Sequence, residues 1–571
     1  MPHANTVPAP TKNGANGKPS RHRKRSRTAD GDDDRGPKSA DLLVGLADGA
    51  ELFHDSGGNA HATVSIGDHR ETWPIKSSGF KRWLQRQYWE RHESAPSTQA
   101  MTDALGVIEG KAVFEGREHD VYIRVAGDID RSVIDLGTPD WSVAVVTSDG
   151  WRIDTNSPVK FRRARGMRPL AIPQRGGDIS ELRRYLNVRA EDWPLAASWL
   201  LMAFNSAGPY PVINLTGEAG SGKSTASRVL RRLIDPNEAP LRREPRDERD
   251  LVIAANNSWV VAFDNLSRLP VWLSDGLCRL ATGGGFATRQ LYSDSEEAIF
   301  NSMRPAILNG IEDVAIRGDL MDRCLNINLE RIPENQRRTE GEFWIEFDAA
   351  VPRILGALLD ALAVAMRRFS GVRLDRLPRM ADFARWSVAG EPGLGLSEGE
   401  FLRSYESARA SANEMVVESS LIGRGVLLLL DKQGGQWEGT ASKLLDELEN
   451  LIPESDRKRN RDWPSDSSGM GNRMKRLAPN LRDAGVGVLF GRNGKRRTIN
   501  LEKAGKSVSL PSPPSPPRKK QGGTGDGPGG NAVTVPSPPK GQKPRENATG
   551  DSDDGYDGKI PVHSTNGRME F

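Results

Sequence analysis

The chain has 571 residues, with 80 Lys and Arg against 76 Asp and Glu, and a formal charge of +4. Its length accommodates about three or four domains with ample apolar mass for a core. Two cysteines, Cys278 and Cys324, exclude a disulfide scaffold and a cysteine-rich zinc site.

Residues 1–40 hold nine basic and four acidic residues, including Arg21–Arg27 (RHRKRSR). They offer too little apolar surface to offset chain entropy, which predicts a disordered basic arm. Such an arm is either a solubilising linker or a weak electrostatic contact with nucleic acid. Residues 41–177 read as a small α+β domain, with short strands at 62–66, 120–125 and 141–146. Its helix at 80–89 is rich in Arg and aromatics, with core burial of those aromatics the blander reading. A helical stretch near 178–205 leads into a strand at 211–216, opening a P-loop α/β domain over 178–341. Residues 342–420 are helical, with segments at 343–369 and 399–416. Residues 421–503 supply helices at 421–430, 441–451 and 471–483, then a hairpin at 485–501, the parts of a winged helix. The tail 504–571 contains PSPPSPP and is predicted to be disordered. No apolar run reaches the roughly 20 residues that span a bilayer. The N-terminus lacks the apolar segment of a signal peptide. A soluble, cytoplasmic protein with no membrane partner is expected.

The strongest motif is Gly217-Glu218-Ala219-Gly220-Ser221-Gly222-Lys223-Ser224-Thr225, matching G-x-x-x-x-G-K-[ST]. It follows a predicted strand and precedes an amphipathic helix at 224–234. The glycines let successive backbone N–H groups turn inward around phosphates at the positive end of a helix dipole. ATP and Mg²⁺ are the implied cofactors, with Lys223 reaching the β- and γ-phosphates and Ser224 ligating the metal. The apolar run 258–263 ends in Asp264, which is expected at a strand's carboxyl edge and holding the Mg²⁺ water shell. Asn265 follows it and cannot act as a general base. A second apolar strand, 304–308, ends in Asn309, either a residue that orients the attacking water or a turn residue before Gly310. Arg323 is the first choice for a finger on a neighbour's γ-phosphate, with Arg317 second; the alternative is an ion pair with Asp319 or Asp322.

The order phosphate loop, Phe263-Asp264-Asn265, glycine-rich insert, Asn309, then D-x-x-x-R…D-R resembles superfamily 3 helicases. It more closely resembles the ATPases of bacterial prophages and integrative elements, related to viral primase-helicase C-terminal domains. The cluster Ala281-Thr-Gly-Gly-Gly285 and Arg289-Gln-Leu-Tyr292 carries the same likeness, which extends over about 41–503. The resemblance implies an AAA+-like hexameric ring with nucleotide sites between subunits, acting on DNA with replication proteins as partners. Asn265 departs from the usual acidic pair. In such proteins the segment after the second acid forms a hairpin in the ring channel, where Arg289 would meet a phosphate and Tyr292 a base, unless Tyr292 packs on its own sheet.

Residues 421–503 carry sixteen Lys and Arg against eleven Asp and Glu. A basic helix with Lys475 precedes a hairpin tip holding Lys495, Arg496 and Arg497, an electrostatic footprint for duplex DNA or else a solvated face on a protein-docking module. The favoured function is an ATP-driven DNA helicase or translocase for replication of a phage or mobile element. A DNA-binding regulator whose ATPase switches assembly is the alternative, and a small-molecule P-loop kinase is the weakest reading.

Overall fold

The structure, a computed structural model, describes residues 38–503 apart from 129, 267–268, 290–296, 301–302, 311–317, 461 and 494–495. The predicted arm (save 38–40) and tail lie outside the described residues.

The N-terminal part contains two four-stranded sheets and a parallel pairing of Val121–Tyr122 with Lys160–Phe161. Three helices, Ser39–Leu46, Ser78–His92 and Thr98–Phe114, pack with a four-stranded sheet built from Glu51–His54, Ala60–Ile66, His69–Pro74 and Arg117–Glu118. Their apolar faces close a core of their own, from Leu43 to Ala112. The expected strand at 120–125 is broken into Val121–Tyr122 and Val125–Gly127. Arg124 lies between them at φ 61, a conformation that extended pairing excludes. Its guanidinium is fully buried and bonds Asp235 and the carbonyls of Asp135 and Arg168. The second sheet, Val125–Gly127, Arg131–Asp135, Val143–Thr147 and Gly150–Asp154, is antiparallel throughout. One of its faces shares the large core that continues into residues 179–405, so the apolar core does not break at 177.

The helical stretch predicted near 178–205 resolves into a 3-10 segment, Ile179–Arg184, and a helix, Trp193–Ala203. Every residue of that helix is buried, which explains its lack of a polar stripe. It packs against the long helix Glu340–Phe369 and against Ala381–Gly390, a helix the sequence reading passed over. Glu340–Phe369 is long and apolar enough to cross a membrane by length and composition, but its apolar residues from Phe347 to Ala365 line the core.

Between these layers lies a parallel sheet in the order Val261–Leu266, Ala306–Gly310, Val212–Thr216, Cys324–Asn328. Both of its faces are covered, as near-continuous apolar strands require. The C-terminal unit has a separate core. Helices Leu421–Lys432, Ala441–Leu451, Glu454–Arg459 and Ser467–Asp483 surround a three-stranded antiparallel sheet. That sheet pairs Gln436–Gly439, unforeseen in the sequence, with Arg496–Lys503 and Val486–Asn493.

Candidate functional site

The parallel sheet brings the glycine-rich loop, Asp264 and Asn309 to its carboxyl edge, where ligands of open parallel sheets bind. The loop turns between Val212–Thr216 and the helix Lys223–Ile234. Gly217, Gly220 and Gly222 take φ values of 141, 83 and 84. A Cβ at Gly217 would stand 2.3 Å from the Leu329 carbonyl oxygen, so no larger residue fits. Outside supports hold the loop: Asn187 donates to the Ser221 carbonyl at 3.1 Å, and the Ile332 N–H donates to that of Gly220 at 3.2 Å.

Two polar groups in this cradle fit a polyphosphate. The Ser221 hydroxyl is buried without a partner. The Lys223 ammonium donates to the main-chain carbonyls of Gly217 and, at 2.8 Å, Glu218. Among the described residues no carboxylate pairs with it. Ser224 donates from Oγ to Asp264 Oδ1 at 3.0 Å, so hydroxyl and carboxylate converge on one point. Among the described residues no cluster of three or more metal-ligating side chains occurs. A Mg²⁺ held by a carboxylate, a hydroxyl and substrate phosphates needs none. Glu218, Ala219 and Gly220 are exposed along the loop, and Thr225 is half-buried on the first helical turn.

Asp264 lies inside its strand, because Val261–Leu266 continues two residues beyond it through a bulge. The irregularity falls at Asn265, held at φ 57, a left-handed conformation that Asn tolerates better than most residues. Its N–H donates to Asn309 Oδ1 at 2.9 Å. Asn309 is 1% exposed, so it is neither a surface turn residue nor open to solvent. Its Nδ2 donates to Ser227 Oγ at 2.9 Å, and Ser227 donates to the Lys223 carbonyl at 3.0 Å. The carboxamide thus ties the Asp264 strand to the helix that carries Lys223. Sequence reasoning missed Ser227 and Asn187, whose roles depend on partners far along the chain.

Arg323 is not brought to this site within the chain. Its carbonyl accepts from the Val212 N–H at 2.9 Å, which fixes it at the amino edge of the sheet. A five-residue strand, about 15 Å, separates that edge from the loop. The side chain is 17% exposed and donates to the Asp319 carbonyl at 2.7 Å, with Asp319 Oδ1 at 3.7 Å and Cys278 Sγ at 3.9 Å. Burial raises the Cys278 thiol pKa, with the Arg323 charge opposing it. Arg379 bonds Asp319 at 3.0 Å and Asp322 at 3.1 Å. Arg409 reaches Asp322 at 3.7 Å and Asp483 of the Ser467–Asp483 helix at 4.0 Å. An ion-pair chain therefore runs from Arg323 to the C-terminal unit.

Arg317, the second choice for the finger, lies outside the described residues, as do Tyr292 and Lys495 among the nucleic-acid candidates. Arg289 ends Phe286–Arg289, which pairs antiparallel with Glu297–Phe300. Lys475, Arg496 and Arg497 are exposed. The terminal ribbon stands clear of its core: Val486 and Val488 are buried, whereas Leu489 to Asn493 are exposed on both faces of the strand. Arg492 faces Arg497 across the ladder, and only hydration or a polyanion relieves like charges so placed.

Residues 179–415 match the family model described as an actinomycete integrative conjugative element replication protein, and residues 422–516 match that of the AICE RepA C-terminal domain. No curated protein matches the chain. Among solved structures, an A-form apo structure of the NrS-1 C-terminal region is 12% identical, covering 82% of this chain and 100% of that one with a TM-score of 0.35. A second apo structure of the same region has the same identity and coverage and a TM-score of 0.35.

Proposed function

This chain belongs, through residues 179–415 and 422–516, to the replication-protein family of actinomycete integrative conjugative elements, and on that premise we propose that it is an ATP-hydrolysing DNA helicase or translocase. The observation that carries the reading is the convergence of Ser224 and Asp264, 3.0 Å apart, beside the glycine-rich loop and Lys223. In this reading the loop N–H groups and Lys223 bind the phosphates of ATP, while Ser224 and Asp264 hold Mg²⁺. The bound cation supplies charge neutralisation between the phosphates. Asn309 sets the spacing between the Asp264 strand and the Lys223 helix.

Arg323 serves the site of a neighbouring copy, since the amino edge of its own sheet is too far from its own loop. Asp319 and Arg379 hold it in readiness. The AAA+-like ring that this requires belongs to the proposal. So does the winged-helix reading of residues 421–503, which the helices, the three-stranded sheet and the protruding basic ribbon support. Arg289 and Tyr292 would contact the strand in the ring channel.

Asn265 favours a second reading. A carboxamide occupies the position where a second acid would activate water, which suits a slow ATPase that switches assembly on DNA without unwinding it. The test pairs ATP turnover with forked-DNA unwinding for the parent and for Lys223→Ala. The helicase reading expects DNA-stimulated turnover with strand displacement, both lost in Lys223→Ala with its fold intact. Turnover without displacement selects the switch, and unchanged turnover in folded Lys223→Ala ends both readings.

A further inference from the structure

The helix Ser78–His92 presents a surface that neither family-matched segment includes. Phe80, Leu84 and Tyr88 bury its inner face, and Ser77 caps its start by accepting from the Phe80 N–H. The opposite face repeats at helical spacing: Arg82, Gln85, Arg86 and Trp89 are all exposed and fall at i, i+3, i+4 and i+7. Trp89 is 58% exposed, and among the described residues no ring or guanidinium stacks on it. The aromatics therefore divide, with Tyr88 in the core and the indole of Trp89 left on the surface. An exposed indole offers a π-face on which a planar group can stack.

Charge identifies the partner. The helix carries Lys81, Arg82, Arg86 and Arg91 against one carboxylate, Glu90, which Arg86 Nε meets at 2.7 Å. The chain enters at the same place, since Tyr88 OH donates to Ser39 Oγ at 3.3 Å. The basic run Arg21–Arg27 ends 11 residues before Lys38. Cations flanking an exposed indole match a sugar-phosphate chain with accessible base faces. A duplex hides those faces inside its stack, and the carboxylates of an acidic peptide would meet the arginines without covering the indole.

We propose that the exposed face of the Ser78–His92 helix binds single-stranded nucleic acid, with Trp89 stacking on a base and Arg82 and Arg86 meeting the flanking phosphates. This surface is distinct from the basic ribbon and does not depend on ATP hydrolysis. The test uses the full chain carrying Lys495→Ala, Arg496→Ala and Arg497→Ala, so that the ribbon does not mask it. Two labelled probes of equal length and charge are compared by anisotropy, oligothymidylate and an abasic deoxyribose-phosphate oligomer. Trp89→Ala should weaken oligothymidylate binding by roughly five- to 150-fold and leave the abasic probe unchanged. Trp89→Phe should recover part of the loss, which separates stacking from damage to the helix. Arg82→Ala with Arg86→Ala should weaken both probes and lower the log–log salt slope by up to about 1.4. Equal affinities of Trp89→Ala and parent for oligothymidylate would overturn the proposal. So would equal losses on both probes, or a change in sedimentation with no change in affinity, which would make this face a protein contact.

Discussion

Asn309 offers the sharpest check on how the site is held together. Replacing it with Ala removes the acceptor of the Asn265 N–H and the donor to Ser227, both at 2.9 Å. Each such hydrogen bond contributes about 1 kcal/mol net. Ser227 keeps its own bond to the Lys223 carbonyl, so its hydroxyl is not stranded. The Asn265 N–H is at the surface side of the bulge, where water replaces part of the loss. The expected destabilisation is therefore about 1–2 kcal/mol, or roughly 2–8 °C in the melting of the parallel-sheet unit. Asn309→Asp separates the two bonds. It keeps the acceptor for Asn265 but can bind Ser227 only if that hydroxyl turns away from Lys223, loosening the first helical turn. Asn309→Asp also puts a carboxylate at a position that is 1% exposed, so it should melt no higher than Asn309→Ala while binding ATP more weakly. Calorimetry and nucleotide titration of both variants provide the assay. An Asn309→Ala protein with parental melting and parental ATP affinity would refute the carboxamide tie.

Neutralising Lys495, Arg496 and Arg497 together should weaken duplex binding and lower its salt slope by up to about 2.7, with DNA-independent ATP turnover retained; an unchanged slope in a salt series would make the ribbon a protein-docking element. Arg323→Ala should bind ATP yet lose hydrolysis, and mixing it with Lys223→Ala subunits should restore part of the turnover, because one interface then combines two intact halves. No restoration under subunit exchange would confine Arg323 to its contacts with Asp319 and Cys278. For Asp55, burial raises the pKa, but hydrogen bonds from His61 and Asn59 outweigh it and bring the carboxyl down to about 2. A depressed folded pKa contributes stability above the unfolded value that is lost as pH falls toward the folded one. Melting of the N-terminal unit should therefore drop between about pH 4 and pH 2, and Asp55→Asn should flatten that drop.

The sequence alone determined the elements whose cause is local. The glycine-rich loop is legible because its glycines, Lys223 and Ser224 are contiguous, and because an apolar strand and an amphipathic helix flank them. The apolar runs ending at Asp264 and Asn309 are legible as buried parallel strands, and the hairpin at 485–501 by its turn and alternation. What the tertiary structure decided depends on partners distant in sequence. Arg124 breaks its strand because Asp235, 111 residues on, accepts from it inside the core. Trp193–Ala203 lacks an amphipathic pattern because neighbours cover it on every side, so periodicity could not mark its ends. Asn309 reads as a strand-end residue in one dimension, and only the adjacency of Ser227 and Asn265 makes it a tie. Arg323 reads as a candidate finger for a neighbour's site, and its distance from its own loop follows from the parallel direction of Cys324–Asn328, which begins beside Arg323 and ends beside the loop. Trp89 and Tyr88 are neighbours in sequence with the same aromatic character. Only the helix rotation, set by the burial of Phe80 and Leu84, turns one into core and leaves the other facing water.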